Sequence, residues 1–193
     1  MKKIVSLALL SMISLVAFSQ EKGTNEININ VGFYTINDLA LDLGEIVTTT
    51  GTLGTLTYAR TTTAPTFGIA YESAIKNNWF FYADAYYQTI SEDVFENDVK
   101  IGDINNTFIT VGFGTNYRYI HGSWFQVYSG ASIAWTSLIA DYTGASDIED
   151  SNNNYFNFHI DALAVRLGSK FAATVAAGYG YKGILNAGLS LQF

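Results

Sequence analysis

The chain has no cysteine, a single proline (Pro65) and only 10 Lys and Arg in 193 residues. Without a thiol there is no disulfide, no thiolate metal centre and no cysteine to carry a lipid behind a leader. The shortage of positive charge, set against 17 Asp and Glu, removes the electrostatic case for binding nucleic acid. Beyond the first segment no run of about 18 apolar residues occurs, so no helix is expected to span a membrane. The two histidines, His121 and His159, are expected at different depths, which argues against a transition-metal site, and neither metal nor other cofactor is expected. What the chain does have is aromatic surface. Its 13 Tyr, 13 Phe and 3 Trp are 15% of the residues, within a hydrophobic fraction of 49%. That is rich for a soluble domain and suits interfacial girdles.

Residues 1–19 combine Lys2 and Lys3, an apolar stretch at 4–18, and the small residues Ala17 and Ser19. This is the pattern of a secretory signal, with the mature chain beginning at Gln20 and residues 20–193 forming one domain. Losing the two lysines takes the formal net charge from -7 to -9.

The mature part divides into eight alternating segments, at 26–34, 66–74, 79–89, 107–119, 124–136, 156–167, 171–181 and 184–193, each near the length of a tilted membrane strand. In the first, Ile27, Ile29, Val31 and Phe33 share one face, and Asn28, Asn30, Gly32 and Tyr34 the other. Connectors alternate. Tight polar turns at 76–78, 121–123 and 168–170 separate long loops at 37–63, 91–106 and 137–154, and only the final connector, 182–183, breaks the rule. Trp79 and Trp124 follow short turns and Trp135 ends a strand, so each falls at an expected membrane edge. Within the first long loop, 37–43 reads as a short capped helix and the Thr-rich 46–60 as a hairpin standing above the wall. In the sixth strand Phe158 and Ile160 have the opposite parity to Leu163, Val165 and Leu167, which a bulge near Asp161 would repair.

The last strand points to a family. Leu185, Ala187, Leu189, Leu191 and Phe193 line one face, and the chain stops on the aromatic. This resembles the C-terminal assembly signal of bacterial outer-membrane β-barrels, and the chain as a whole is similar in architecture to the small, OmpA/OmpX/OmpW-like barrels of Gram-negative bacteria. The resemblance implies an all-β, eight-stranded antiparallel up-and-down transmembrane barrel, with outer-membrane lipid as its surroundings. It also implies that Leu189, Leu191 and Phe193 are what the barrel-assembly machinery reads. Both termini and the short turns would then be periplasmic, and the long loops extracellular.

Motifs for chemistry mostly dissolve in context. Residues 178–183 match G-x-G-x-x-G, but a strand follows where a nucleotide site needs a helix and a distant acid. His159 and Asp161 share a strand face and can hydrogen-bond, as in lipid-modifying barrel enzymes, yet no serine nucleophile is evident one strand position away. Glu72, Asp84 and Arg118 face away from lipid on adjacent strands, joined by Arg166 if the bulge exists. They are expected to form a salt-bridged network in the lumen, because an unpaired charge there would lose its hydration uncompensated. The three long loops hold most of the remaining acid: Asp38, Asp42 and Glu45 in the first, Glu92, Asp93, Glu96, Asp98 and Asp103 in the second, and Asp141, Asp147, Glu149 and Asp150 in the third. The run at 147–154 lacks the Gly and closing Glu of a calcium loop. These loops are the expected recognition surface, for divalent cations or basic partners. The expected function is structural or surface-interacting and non-enzymatic. The alternatives are a narrow, porin-like passage for small hydrophobic solutes and, after it, a lipid-modifying enzyme.

Overall fold

A computed structural model describes residues 24–52, 54–76, 78–144 and 151–193, so the expected leader and Asp147, Glu149 and Asp150 lie outside the described residues. The elements are β1 (Asn25–Phe33), α1 (Ile36–Gly51), β2 (Leu56–Thr63), β3 (Thr66–Lys76), β4 (Trp79–Glu96), β5 (Val99–His121), β6 (Phe125–Gly144), β7 (Ser151–Gly168), β8 (Phe171–Gly180) and β9 (Leu185–Gln192). Every pairing is antiparallel. The ring closes because β1 pairs with both β3 and β9 while β4 pairs with β5. Nine strands fill eight wall positions, since β2 and β3 lie end to end along β4. They part at Ala64 and Pro65, where the one proline has no N–H to give to the ladder.

The outward face is apolar in a band that ends abruptly. On β4 it changes from Tyr87 to Thr89, on β5 from Ile109 to Thr107, on β6 from Trp135 to Ser137 and on β7 from Phe156 to Asn154. Tyr87 pairs with Ile109, and Trp135 with Phe156, so the changes coincide within each of these strand pairs, while from β5 to β6 they are offset by two residues, Ile109 lying opposite Ser137. Aromatic rings mark both rims. Trp79 packs on Tyr117 at 5.1 Å on the turn side, and Trp135 on Phe156 at 4.8 Å on the loop side. A wall apolar outside and polar inside, with rings at both edges, is what lipid selects. Among the described residues no helix is long and apolar enough to cross a membrane.

The expected loop at 91–106 is instead a continuation of β4 and β5, joined by a two-residue turn at Asn97 and Asp98. Their φ values of 49° and 65° are left-handed, which Asn and Asp tolerate and the right-handed twist of a hairpin favours. β6 and β7 likewise run past the band. The barrel is therefore cut obliquely: β1, β8 and β9 stop near the lipid edge, while β2, β4, β5, β6 and β7 rise above it as an open sheet. α1 is longer than the expected 37–43. It takes the first Thr residues of the Thr-rich stretch into its last turns, and the remainder becomes β2, paired to β4 and not a free-standing hairpin. The bulge expected near Asp161 lies between Asp161 and Leu163, and it turns Arg166 into the lumen.

Candidate functional site

The lumen is filled in layers. Nearest the turns, Arg118 Nη2 lies 2.9 Å from Glu72 Oε1 and 3.2 Å from Glu26 Oε2, while its Nη1 donates to Gln126. Arg166 Nε donates to the other Glu26 oxygen at 3.1 Å, and its Nη groups donate to the carbonyls of Gly168 and Ser169, each at 2.8 Å. The Arg118 guanidinium stacks 3.7 Å above the Phe80 ring. All of these side chains are buried. Bidentate sharing of Glu26 between two arginines supplies the pairing that a carboxylate in so narrow a space requires. Glu26 is the member that sequence reasoning missed. Its signal was its position: the one charge on the polar, inward parity of β1, in line with Asn28 and Asn30.

Asp84 does not join that layer. The turn between β8 and β9 folds back into the barrel and brings Lys182 Nζ to 2.9 Å from Asp84 Oδ2, with Tyr181 Oη 2.9 Å from both Asp84 oxygens. Lys182 also sits 4.0 Å over the Tyr82 ring. The inward fold needs close approach: a Cβ on Gly32 would lie 1.7 Å from the Lys182 carbonyl oxygen, and Gly183 has a φ of 99°. The four charges expected as one network are thus two. Arg118, Glu72 and Arg166 gather around Glu26, and Asp84 pairs with Lys182.

His159 Nε2 and Asp161 Oδ1 are 2.9 Å apart in the same middle layer. A serine does stand across from this histidine, because Ser132 pairs with His159 in the β6–β7 register. Its hydroxyl is hydrogen-bonded to Tyr181 Oη at 2.9 Å, and both residues are buried in the lumen instead of standing at a lipid rim. The fingerprint at 178–183 is the end of β8 and the plug turn, with no helix after it.

At the loop side the start of α1 stoppers the mouth. Thr35 caps the helix, accepting from Asn37 N and Asp38 N at 3.2 and 3.3 Å, while Asp38 Oδ2 accepts from Thr35 N at 2.6 Å. These groups then tie to the wall. Gln88 bonds Thr35, Asn37 and Asp38, and Tyr155 Oη donates to Asn37 Oδ1 at 2.9 Å. Arg60 of β2 clamps the helix through Asp42, 2.7 Å away.

The acidic residues above the band fall into different settings. Glu92 does not belong to the outer surface: it points inward, is buried and accepts from Asn106 Nδ2 at 3.0 Å. Burial pushes its carboxyl above the ordinary range, opposed by Arg60. Asp93 and Asp103 share Lys100, at 3.0 and 2.6 Å, and hydrogen bonding to Lys100 lowers Asp103. Glu96, Asp98 and Asp141 are exposed and form no ion pair among the described residues. No cluster of three or more His, Cys, Asp or Glu able to hold a metal occurs among the described residues.

A closed antiparallel ring of eight strand positions, lipid-compatible outside and charged inside, defines the chain as a small outer-membrane type of transmembrane β-barrel. A crystal structure of Ail, the attachment invasion locus protein of Yersinia pestis, in complex with the heparin analogue sucrose octasulfate, is similar to it. The two share 9% identity over 89% of this chain and 96% of that one, with a TM-score of 0.46. No family model matches the chain, and no curated protein is similar to it in sequence.

Proposed function

We propose that this is a plugged, non-conducting outer-membrane barrel that presents an acidic, raised sheet to the cell exterior as a surface for basic partners. One observation carries the reading: the lumen is blocked at three levels while the strands continue well beyond the lipid band. Among the described residues the Arg118 layer, the Asp84–Lys182 layer and the α1 stopper block the lumen, which favours this reading over a porin-like or hydrophobic passage. The raised sheet, in contrast, is built at the cost of ordering dozens of residues that lipid anchoring does not need. Its exposed carboxylates are Glu96, Asp98, Asp103 and Asp141, and the connection from β6 to β7 adds Asp147, Glu149 and Asp150 in sequence, outside the described residues. Such a surface concentrates cations in a salt-dependent way. In this reading the turns and termini are periplasmic, the raised sheet is extracellular, and Leu189, Leu191 and Phe193 present the lipid face that the assembly machinery recognises. No catalytic role is assigned.

The test compares wild type with a variant carrying amides at Glu96, Asp98, Asp141, Asp147, Glu149 and Asp150. Both are reconstituted and titrated with oligoarginine and with calcium at low and high salt. The wild type should bind oligoarginine at low salt and release it at high salt, and the amide variant should bind weakly at both. Sucrose octasulfate serves as the opposite-charge probe. Its retention in place of oligoarginine, or equal binding by the two proteins, would overturn the proposal. In planar bilayers the wild type should show no steady conductance.

A further inference from the structure

α1 is amphipathic the wrong way round for a soluble helix. Its inner face is polar: Asn37 and Asp38 bond Gln88, Asp42 pairs with Arg60 at 2.7 Å, and Glu45 and Thr49 follow at helical spacing. Its outer face carries Ile36, Ala40, Leu43 and Val47, spaced by four, three and four residues, with Ile46 beside them. Leu43, Ile46 and Val47 are 54%, 61% and 72% exposed. A surface helix normally turns such a stripe to the core, and a contiguous apolar stripe left outside marks a contact surface.

Lipid does not reach this stripe. α1 rises beside β2, away from the band: its start is tied to Gln88 at the lipid edge and its middle to Arg60, which pairs across the sheet with Glu92. Beyond its end, the Thr55 carbonyl accepts from Asn97 N at the tip of the β4–β5 hairpin. Leu43 therefore stands near the level of Ser91 and Asp93, where the outer face of the wall is already polar.

We propose that the stripe is covered by a second copy of this chain, the two α1 helices packing side by side and parallel about a two-fold axis normal to the membrane. The spacing is that of a coiled-coil seam, and Val47 at its a position with Leu43 at its d position is the combination that favours two strands. Copies in one membrane share one orientation, which makes their helices parallel and sets them at one height. Repulsion is also lowest here. The outward positions of α1 and of β2, where Thr57, Ala59 and Thr61 stand, carry no charge, whereas Asp93, Asp103 and Asp141 project from the outer faces of β4, β5 and β6. About three turns of helix offer less than the roughly 800 Å² per partner of a stable soluble interface. Copies held in one membrane have already lost much of the freedom that association costs, so the pair forms at high density and parts on dilution.

The chain has no cysteine, so one introduced thiol reads the contact directly. Mild oxidation of Leu43→Cys should give a disulfide-linked dimer in outer membranes and in vesicles of phosphatidylethanolamine and phosphatidylglycerol, with a yield that falls as lipid is added. Ala59→Cys, exposed on the outer face of β2, should give little. Adding Val47→Ser to Leu43→Cys should cut the yield several-fold and leave the heat-modifiable band unchanged, because neither side chain packs inside the fold. An unchanged yield with Val47→Ser, equal yields at positions 43 and 59, or no dimer at either would overturn the proposal. So would a spin label on the Leu43→Cys thiol that is relaxed more by oxygen than by a water-soluble nickel chelate, which would place the stripe in lipid. A cross-link formed only in cells and only to a different protein would overturn it as well. None of these readouts involves the acidic surface, so the two proposals fail separately.

Discussion

Strand β4 crosses two solvents and reverses its polarity where they meet. From Trp79 to Tyr87 the outward residues Phe81, Ala83, Ala85 and Tyr87 are apolar, and the inward ones include Asp84 and Tyr82. From Gln88 onward the outward residues are Thr89, Ser91, Asp93 and, at the tip, Phe95, and the inward ones include Ile90 and Val94, both fully buried. Alternation never breaks; only its phase changes. The lower part is a membrane barrel with a charged interior, and the upper part is an ordinary water-soluble sheet with Ile90, Val94 and Phe108 buried on its inward face. One backbone therefore serves two opposite partitioning rules, and the level of the switch fixes the lipid edge more sharply than any single aromatic does.

The largest effect is expected at the lipid face. Placing Asp at both Leu189 and Leu191 should abolish assembly, seen as loss of the heat-modifiable band from outer membranes, because these side chains meet lipid from the last strand. Equivalent Asp substitutions at Thr89 and Ser91, across the switch, should leave assembly intact. Next comes the lumen. Arg118→Ala leaves Glu72 buried without its cation and strips Glu26 of one of two, and should cost about 3–5 kcal/mol. Urea unfolding from lipid vesicles measures this; a loss under about 1 kcal/mol would mean that the layer is hydrated and not paired.

A smaller and more local effect is expected from Ile90→Ala. It should destabilise the upper sheet by about 2–4 kcal/mol while sparing the barrel. Trypsin should then cut at Lys100 faster, with the heat-modifiable band unchanged; simultaneous loss of both would mean that the two parts unfold as one. The smallest effect concerns Glu92. Its carboxyl is raised by burial, so the folded sheet binds that proton more tightly than the unfolded chain does. Its contribution is therefore present in mild acid and lost as pH rises through the raised value. Glu92→Gln should flatten that dependence in the trypsin assay between acid and neutral pH, and an unchanged slope would place the titration elsewhere.

Much of the wall was legible because lipid imposes a simple code. The alternation of β1, β3, β8 and β9, the three short turns and the bulge after Asp161 all follow from one apolar face of fixed length. The upper halves of β4 and β5 were not legible, because a phase reversal with Ser, Asp, Glu and Asn on the outer face has the composition of a loop. α1 was shortened for a related reason: residues 46–50 carry Ile, Val and Thr, which favour strands locally, and tertiary contact with β2 overrides them. Among the charges, Arg118 and Glu72 follow from parity alone. Asp84 could not be assigned to Lys182, since a connector at 182–183 gives no sign that it folds inward. The exposed acids could be listed from sequence, but Glu92 could be told from Asp93 only by extending β4 with its register intact.

The inward turn has a consequence for how the molecule comes into being. Tyr181 and Lys182 belong to the final hairpin, and the Lys182 carbonyl rests where Gly32 of the first strand leaves room. The Lys182 turn therefore rests on the first strand as well as on its own hairpin, so its seat is complete only where β1 and β9 are paired, and closing the seam is coupled to corking the middle of the barrel. A bulkier residue at Gly32 would thus act on timing as well as on fit, holding the protein as a full set of strands unable to shut.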